Sequence, residues 1–446
     1  MSTSAGKLGL FEIYRRLNRD PESLFRSIDP RAGLGIRRFL FRKTMVIWKP
    51  EHLHHVLVGN ARNYDKSPLA RALFRPIIGN GLLVSEGSFW RRQRRIAAPA
   101  FHHRRIREFA RTMQEETDAQ VDGWCDAVAR GESIDMLREM SKLTVEIICR
   151  TMFSQGLDAA DKAAVGQAMN ALNERGTVVR VRDLIGVPEW FPRIESAATR
   201  RAMAVLDRII EPIIRSRRAD PTDRGDLLSM FMLARDEETG EGMSDRQLRD
   251  EVMTMFLAGH ETTATTLAWA AHALTTWPGV QERLCAEVDA VVGDRAVAFE
   301  DLPKLPYARQ IIEETMRFHP TVPQIARDAL DDDVIDGVPV PKGTIMTVQI
   351  WLAHRNPEVW EEPERFDPDR FSPEGSADRP RLAYLPFGAG PRICIGNSFA
   401  MMEAQIILAT IARRFRFVET IAPQVRGFGT IVLRPKGGMA VRLEAR

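Results

Sequence analysis

The chain has 446 residues, 44% hydrophobic and 28% charged, and 63 Lys and Arg against 60 Asp and Glu leave a formal charge of +3. That balance argues against nucleic acid as a partner, and the composition is that of a soluble globular protein rather than a disordered or fibrous one. Cys125, Cys149, Cys285 and Cys394 are scattered without a CxxC pair, which argues against a disulfide framework or a zinc site and fits a reducing cytosol.

No apolar run reaches the roughly 18 residues of a membrane span. The first twenty positions lack the apolar core and cleavage site of a secretory signal. Leu8, Leu10, Phe11, Tyr14 and Leu17 form a small apolar face, read as a helix packing on the body rather than docking to a membrane. The expected location is the cytoplasm, and the expected state a monomer.

Helical periodicity dominates from about Ser88 to Phe318. Trp90-Arg91-Arg92-Gln93-Arg94-Arg95 opens a helix with the Trp90 indole and the Arg94 guanidinium one turn apart. Arg91, Arg92 and Arg95 point outward and suit an acidic protein partner. A nucleic-acid stripe would need interleaved aromatics or a basic domain. Arg175, Arg180 and Arg182 fall in lid-like helices, where a solvated face is the ordinary reading.

Ser244-Asp245-Arg246-Gln247 reads as a capping box, and helical pattern then continues to Trp277, where Pro278-Gly279 stops it. Ala258-Gly259-His260-Glu261-Thr262-Thr263 occupies its middle. Gly259 weakens the helix there by about 1 kcal/mol relative to Ala. The Thr262 hydroxyl is placed to take the Ala258 carbonyl and open the ladder into a groove able to hold dioxygen and a water. His260 is given no ligand role.

Further on, Glu314 and Arg317 share a helix face at i,i+3, and His319-Pro320 ends that helix. Val334-Ile335-Asp336-Gly337-Val338-Pro339-Val340 reads as a hairpin. An irregular, Pro-rich and charged meander covers 356–390, and β segments are expected at 429–433 and 439–443. No Gly/Ser linker or internal repeat interrupts the chain, so residues 1–446 are expected to form a single, mainly α domain with a minor β lobe.

Phe387-Gly388-Ala389-Gly390-Pro391-Arg392-Ile393-Cys394-Ile395-Gly396 sets one cysteine in a glycine-studded loop that opens a helix from about Asn397 to Arg413. Backbone N–H groups and the dipole at a helix N-terminus favour an anionic sulfur. Gly390 and Gly396 allow a tight turn and bring N–H groups close to the sulfur. A thiolate held this way suits the single axial ligand of a haem iron. A buried free cysteine is the commoner role for a lone Cys, and the spacing of the whole loop argues against it here.

The loop resembles the haem-binding signature of the cytochrome P-450 family, the haem-thiolate monooxygenases: Phe387, Gly390, Arg392, Cys394 and Gly396 fill its slots. Further matches run from about Trp90 to the C-terminus. The resemblance implies the cytochrome P-450 fold, with haem b between the long central helix and the helix that follows the ligand cysteine. It implies that Thr262 orients a proton-delivering water and that Glu261 links it to bulk protons. Trp90, Arg94, Arg327 and Arg392 are implied to hold the haem propionates. Pro363-Glu364-Arg365-Phe366-Asp367-Pro368-Asp369-Arg370-Phe371 resembles the family's meander motif, which implies a buried structural triad of Glu314, Arg317 and Arg365.

By the same resemblance the substrate pocket draws on Leu69, Phe74, Leu82, Leu83, Met255, Ala258, Val322, Ile325 and Ile431, with Gln324 and Thr430 as isolated polar contacts. That set is apolar and implies a hydrophobic substrate. No dinucleotide loop, flavin motif or iron–sulfur cysteine cluster is present, so a separate ferredoxin and ferredoxin reductase are implied as electron donors. The expected reaction is monooxygenation. Peroxide-driven oxidation is the second enzyme reading, and a haem-based sensor or ligand carrier the reading from another class; the pairing of Glu261 with Thr262 argues against both.

Overall fold

Ser244 starts the longest helix among the described residues. Its Oγ accepts the Gln247 N–H at 3.3 Å while the Gln247 side chain accepts the Ser244 N–H at 2.8 Å, so two orphan donors of the first turn are satisfied. In this computed structural model, which describes residues 15–16, 20–39, 42–154, 157–176, 196–421, 425–429 and 431–446, that helix runs over 32 residues. Pro278 and Gly279 do more than stop it. They begin the next helix, where a missing proline N–H costs nothing.

The helices that frame the site are α1 (Pro68–Ile78), α2 (Gly87–Ala97), α3 (Met136–Phe153), α4 (Asp245–Thr276), α5 (Pro278–Val291), α6 (Pro306–Phe318) and α7 (Asn397–Arg414). α4 is buried on most of its circumference, through Val252, Phe256, Leu267, Trp269 and Leu274 among others. A helix apolar nearly all round belongs in the centre of a large body. It packs against α3, α6 and α7.

The β lobe is a mixed five-stranded sheet in the order 34–39, 42–47, 345–349, 324–329, 64–66, with a second apolar core of Trp48, Leu53, Tyr64, Met346, Trp351 and Leu385. The predicted hairpin forms between Asp333–Ile335 and Val338–Val340. Asp336 and Gly337 have φ of +51° and +74°, the two left-handed residues of a tight hairpin turn. Among the described residues of the segment expected as a strand at 429–433 none is in a strand: Ile431 and Val432 lie in a bend between the short paired strands Gly427–Phe428 and Arg434–Pro435. Mainly α with a minor β lobe is therefore the observed class. Among the described residues no helix is long and apolar enough to cross a membrane.

Candidate active site

The loop ahead of α7 is bent by Gly388 and Gly390, with φ of +72° and +68°. A Cβ on Gly390 would lie 1.8 Å from the Leu57 carbonyl oxygen, so only glycine fits. Gly396 is different. Its φ of −91° suits any residue, and an added Cβ would make an ordinary 3.9 Å contact with Phe101, so the tight turn expected there is not what it provides. Its N–H does point at the Cys394 sulfur, as expected. The Cys394 N–H closes the loop onto the Phe387 carbonyl at 2.9 Å. Cys394 is accessible to solvent yet hemmed in closely enough that desolvation pushes its thiol up; the Gly396 amide, Arg94 and Lys66 pull it back toward the thiolate.

Cations gather beside this loop. Arg392 stacks its guanidinium 4.0 Å from the Trp90 ring centroid and bonds the Ser85 carbonyl at 2.8 Å and Asp65 at 2.5 Å. Arg327, 4% exposed, pairs across the sheet with Lys66, a residue for which the sequence carries no local signal. Burial, with Arg392 nearby, lowers Arg327 to about 10, and burial beside both arginines pushes Lys66 well below the usual lysine range. Asp65 is the carboxylate closest to offsetting them. Arg94 donates to the Ile393 carbonyl at 2.8 Å, next to the cysteine. A thiol flanked by the guanidinium groups of Arg94, Arg327 and Arg392 is a donor set that fits haem with its two propionates.

The centre of α4 opens where the rest of the helix is closed: Ala258 is exposed and Leu257, Gly259, Glu261 and Thr262 are half-buried. The Thr262 hydroxyl donates to the Ala258 carbonyl at 2.8 Å, as expected, but the helix is continuous through this turn, so no groove opens in its ladder. Desolvation raises the Glu261 carboxyl to about 7, against the pull of Arg434 at 3.7 Å. His260 turns inward, its Nδ1 2.6 Å from the Phe256 carbonyl, and burial keeps it neutral. Glu403 of α7, raised to about 8 by burial, is hydrogen-bonded to Thr263.

Asp250 and Glu251, which sequence reasoning missed, clamp the loop after α1. Asp250 accepts the Asn80 N–H at 2.8 Å and Glu251 the Leu82 N–H at 3.0 Å. The signal was the Gly79-Asn80-Gly81 pattern: a Cβ at Gly79 would collide with the Asp250 carboxylate and one at Gly81 with the Thr254 hydroxyl. Met255 is buried, while Phe74 and Leu83 pack partly buried on the main core. Ile325 reaches the cysteine loop, where a Cβ on Gly388 would be 3.8 Å from its Cδ1. Val322 and Ile431 are half-buried, and Gln324 is engaged with Gln349 at 3.3 Å. Thr430, Arg180, Arg182 and the side chains of Leu69 and Arg175 lie outside the described residues.

The buried ionic pair is Glu314 with Arg317, both fully buried and bonded at 2.6 and 2.7 Å. Arg365 is not its third member. The Arg365 side chain is 62% exposed and reaches Glu362, and only its backbone carbonyl is used, accepting from Arg317 at 3.0 Å. Arg370 instead approaches Glu314 at 3.7 Å. The segment carries Pro-acid-Arg-Phe twice, five residues apart, and it is the arginine of the second copy that turns inward. A second correction concerns the outward arginines of α2. Arg92 pairs with Glu241, and Arg95 pairs with Asp236 at 2.8 Å and Glu238 at 2.9 Å, so both are neutralised within the chain.

Fold and site together define a protein of the haem-thiolate class. The cytochrome P450 family model matches residues 15–441, and the chain belongs to that family. It is 37% identical over 402 residues to cyclooctatin synthase of Streptomyces melanosporofaciens, covering 89% of this chain and 86% of the relative. It is 35% identical over 416 residues to cyclooctat-9-en-7-ol 5-monooxygenase of the same organism, covering 93% and 89%. The crystal structure of the cytochrome P450DA heme domain superposes with a TM-score of 0.86 at 28% identity, over 99% of this chain and 96% of that one. The protein is accordingly a haem b oxidoreductase that incorporates one atom of oxygen.

Proposed function

We propose that this enzyme places one oxygen atom of O2 on a C–H or C=C bond of a hydrophobic organic substrate, with electrons from a separate ferredoxin and ferredoxin reductase. It acts as a single-domain monomer in the cytoplasm. The observation that carries this reading is the open turn of α4, where Met255, Ala258 and Thr262 share one face and Glu261 stands beside them.

Haem b, when bound, supplies the reductive activation of dioxygen and the oxygen transfer itself. Cys394 would hold its iron, and Arg392, Arg327, Arg94 and Trp90 its propionates. The Thr262 hydroxyl proton is committed to the Ala258 carbonyl, so its lone pairs are left to accept from a water and orient it. Glu261, half-protonated near neutral pH, resupplies that water with protons. The apolar lining holds the substrate by burial and excludes bulk water. Two relatives are named for cyclooctatin and cyclooctat-9-en-7-ol, so an unsaturated, mostly hydrocarbon alcohol is the first substrate class to test.

The test is turnover under isotopically heavy dioxygen with a surrogate ferredoxin, its reductase and NADPH. One heavy oxygen atom per product is expected. Full-rate product formation from hydrogen peroxide alone, with no heavy label, would assign peroxide-driven oxidation instead.

A further inference from the structure

Glu261 meets a residue from a distant part of the chain. Arg434 Nη1 lies 3.7 Å from Glu261 Oε1, an oxygen that is buried and has no hydrogen-bond partner. The chain next to Arg434 is pinned twice: the Leu433 N–H donates to the Thr321 carbonyl at 2.8 Å, and the Leu433 carbonyl accepts the buried Trp269 indole N–H at 2.9 Å. Trp269 stands two turns beyond Glu261 on α4, so Arg434 is delivered to Glu261 by a fixed backbone rather than by a flexible loop. Outward, Arg434 lines an open cleft of about 350 Å³ with Leu137 of α3, Phe428, Pro435, Lys436, Gly437 and Gly438. The Arg434 side chain, 23% exposed, therefore stands between the cleft and the buried carboxyl.

We propose that Arg434 is a positioning residue that holds the Glu261 carboxyl at the inner end of this cleft, making the cleft the entrance through which solvent protons reach α4. This rests on the proton-supplying role of Glu261 proposed above. Each proton that Glu261 passes inward is replaced by one from a water in the cleft, so Glu261 is unchanged over a cycle. Other titratable groups on the elements packed round Glu261 are engaged elsewhere: Arg138 of α3 with Glu139, Arg150 of α3 with Glu115 and Glu116, and His272 of α4 with Thr420. His260 bonds Phe256, Glu403 of α7 bonds Thr263, Lys142 and Glu139 of α3 pair with each other, Glu146 of α3 is itself engaged, and Lys436 lines the same cleft.

The experiment uses the haem-loaded protein and two readouts. In the infrared, the protonated-carboxyl band that disappears in Glu261→Gln is titrated in wild type and in Arg434→Ala; loss of the cation should move its midpoint up by about one pH unit. In turnover, product per electron should fall in Arg434→Ala and recover in Arg434→Lys or on addition of guanidinium ion, with sodium chloride as the control. Guanidinium should have no effect in the Arg434→Ala/Glu261→Gln double variant. An unmoved band, or a loss restored by neither lysine nor guanidinium, overturns the inference for Arg434. Wild-type coupling in Glu261→Gln would instead overturn the role of Glu261 on which it rests.

Discussion

Arg317 donates through Nη1 to the His354 carbonyl at 3.0 Å, and the imidazole of that same His354 accepts the Leu385 N–H at 3.0 Å. Leu385 in turn accepts from Gly388, the first bend of the cysteine loop. A buried guanidinium on α6 is thus connected to the ligand loop by three consecutive hydrogen bonds. Accepting from Leu385 requires a neutral His354, and burial beside Arg317 and Arg355 holds its pKa down at about 3.

Arg317→Ala should therefore be far more damaging than Arg365→Ala. The first removes the bidentate partner of the buried Glu314, leaving it the Asp367 N–H and Arg370 at 3.7 Å, and strips the carbonyls of His354, Pro363 and Arg365, a cost of about 3–5 kcal/mol. The second trims an exposed side chain and should stay within about 0.5 kcal/mol. Arg370→Ala should fall between them. Melting temperature and haem content of the three variants check the order, and equal loss in all three would restore Arg365 to the triad.

Gly390→Ala and Gly396→Ala form a second contrast. Alanine at 390 adopts a left-handed φ and drives its Cβ into the Leu57 carbonyl, which should cost at least about 1–3 kcal/mol and displace the ligand loop. Alanine at 396 meets neither obstacle. Haem retention on gel filtration separates them: the 390 variant should lose haem, and the 396 variant should keep it.

Cys394→Ala should abolish the red-shifted Soret band that thiolate-ligated haem gives on reduction and binding of carbon monoxide. Alanine at Cys125, Cys149 or Cys285 should leave it. The spectrum alone decides, and a surviving band in Cys394→Ala would move the ligand elsewhere.

Thr262→Ala leaves the thiol loop and the cation cluster untouched and removes the hydroxyl that would orient water. Substrate-induced spectral shifts should persist while reducing equivalents drain to hydrogen peroxide, the proton-transfer step losing about 10²–10⁴-fold. Product and peroxide per NADPH are the quantities to measure. Coupling equal to wild type would make the threonine purely structural.

Glu403 supplies a pH test. Its folded pKa of about 8, raised by desolvation from 4.5, means that the folded chain binds a proton the unfolded chain has lost. Stability from this group is full below the unfolded value and is lost as pH rises through the folded one. From about pH 4.5 to about pH 8 the wild type should lose melting temperature relative to Glu403→Gln, and the loss should level off above that. A difference that does not change with pH would contradict the raised pKa.

The sequence by itself determined what neighbours within a turn or two decide. The capping box at Ser244, the left-handed pair Asp336-Gly337 and the cysteine one turn before α7 were all legible, because each is made by residues adjacent along the chain. Tertiary structure alone decided which arginine of two Pro-acid-Arg-Phe tetrads turns inward, since Arg365 and Arg370 carry the same local pattern and the Glu314 carboxylate, about fifty positions away, distinguishes them. It also set Lys66 opposite Arg327 and Arg434 beside Glu261. Those pairings come from strand register and from the packing of segments far apart in the chain, and burial, not residue type, then gives each charge its strength.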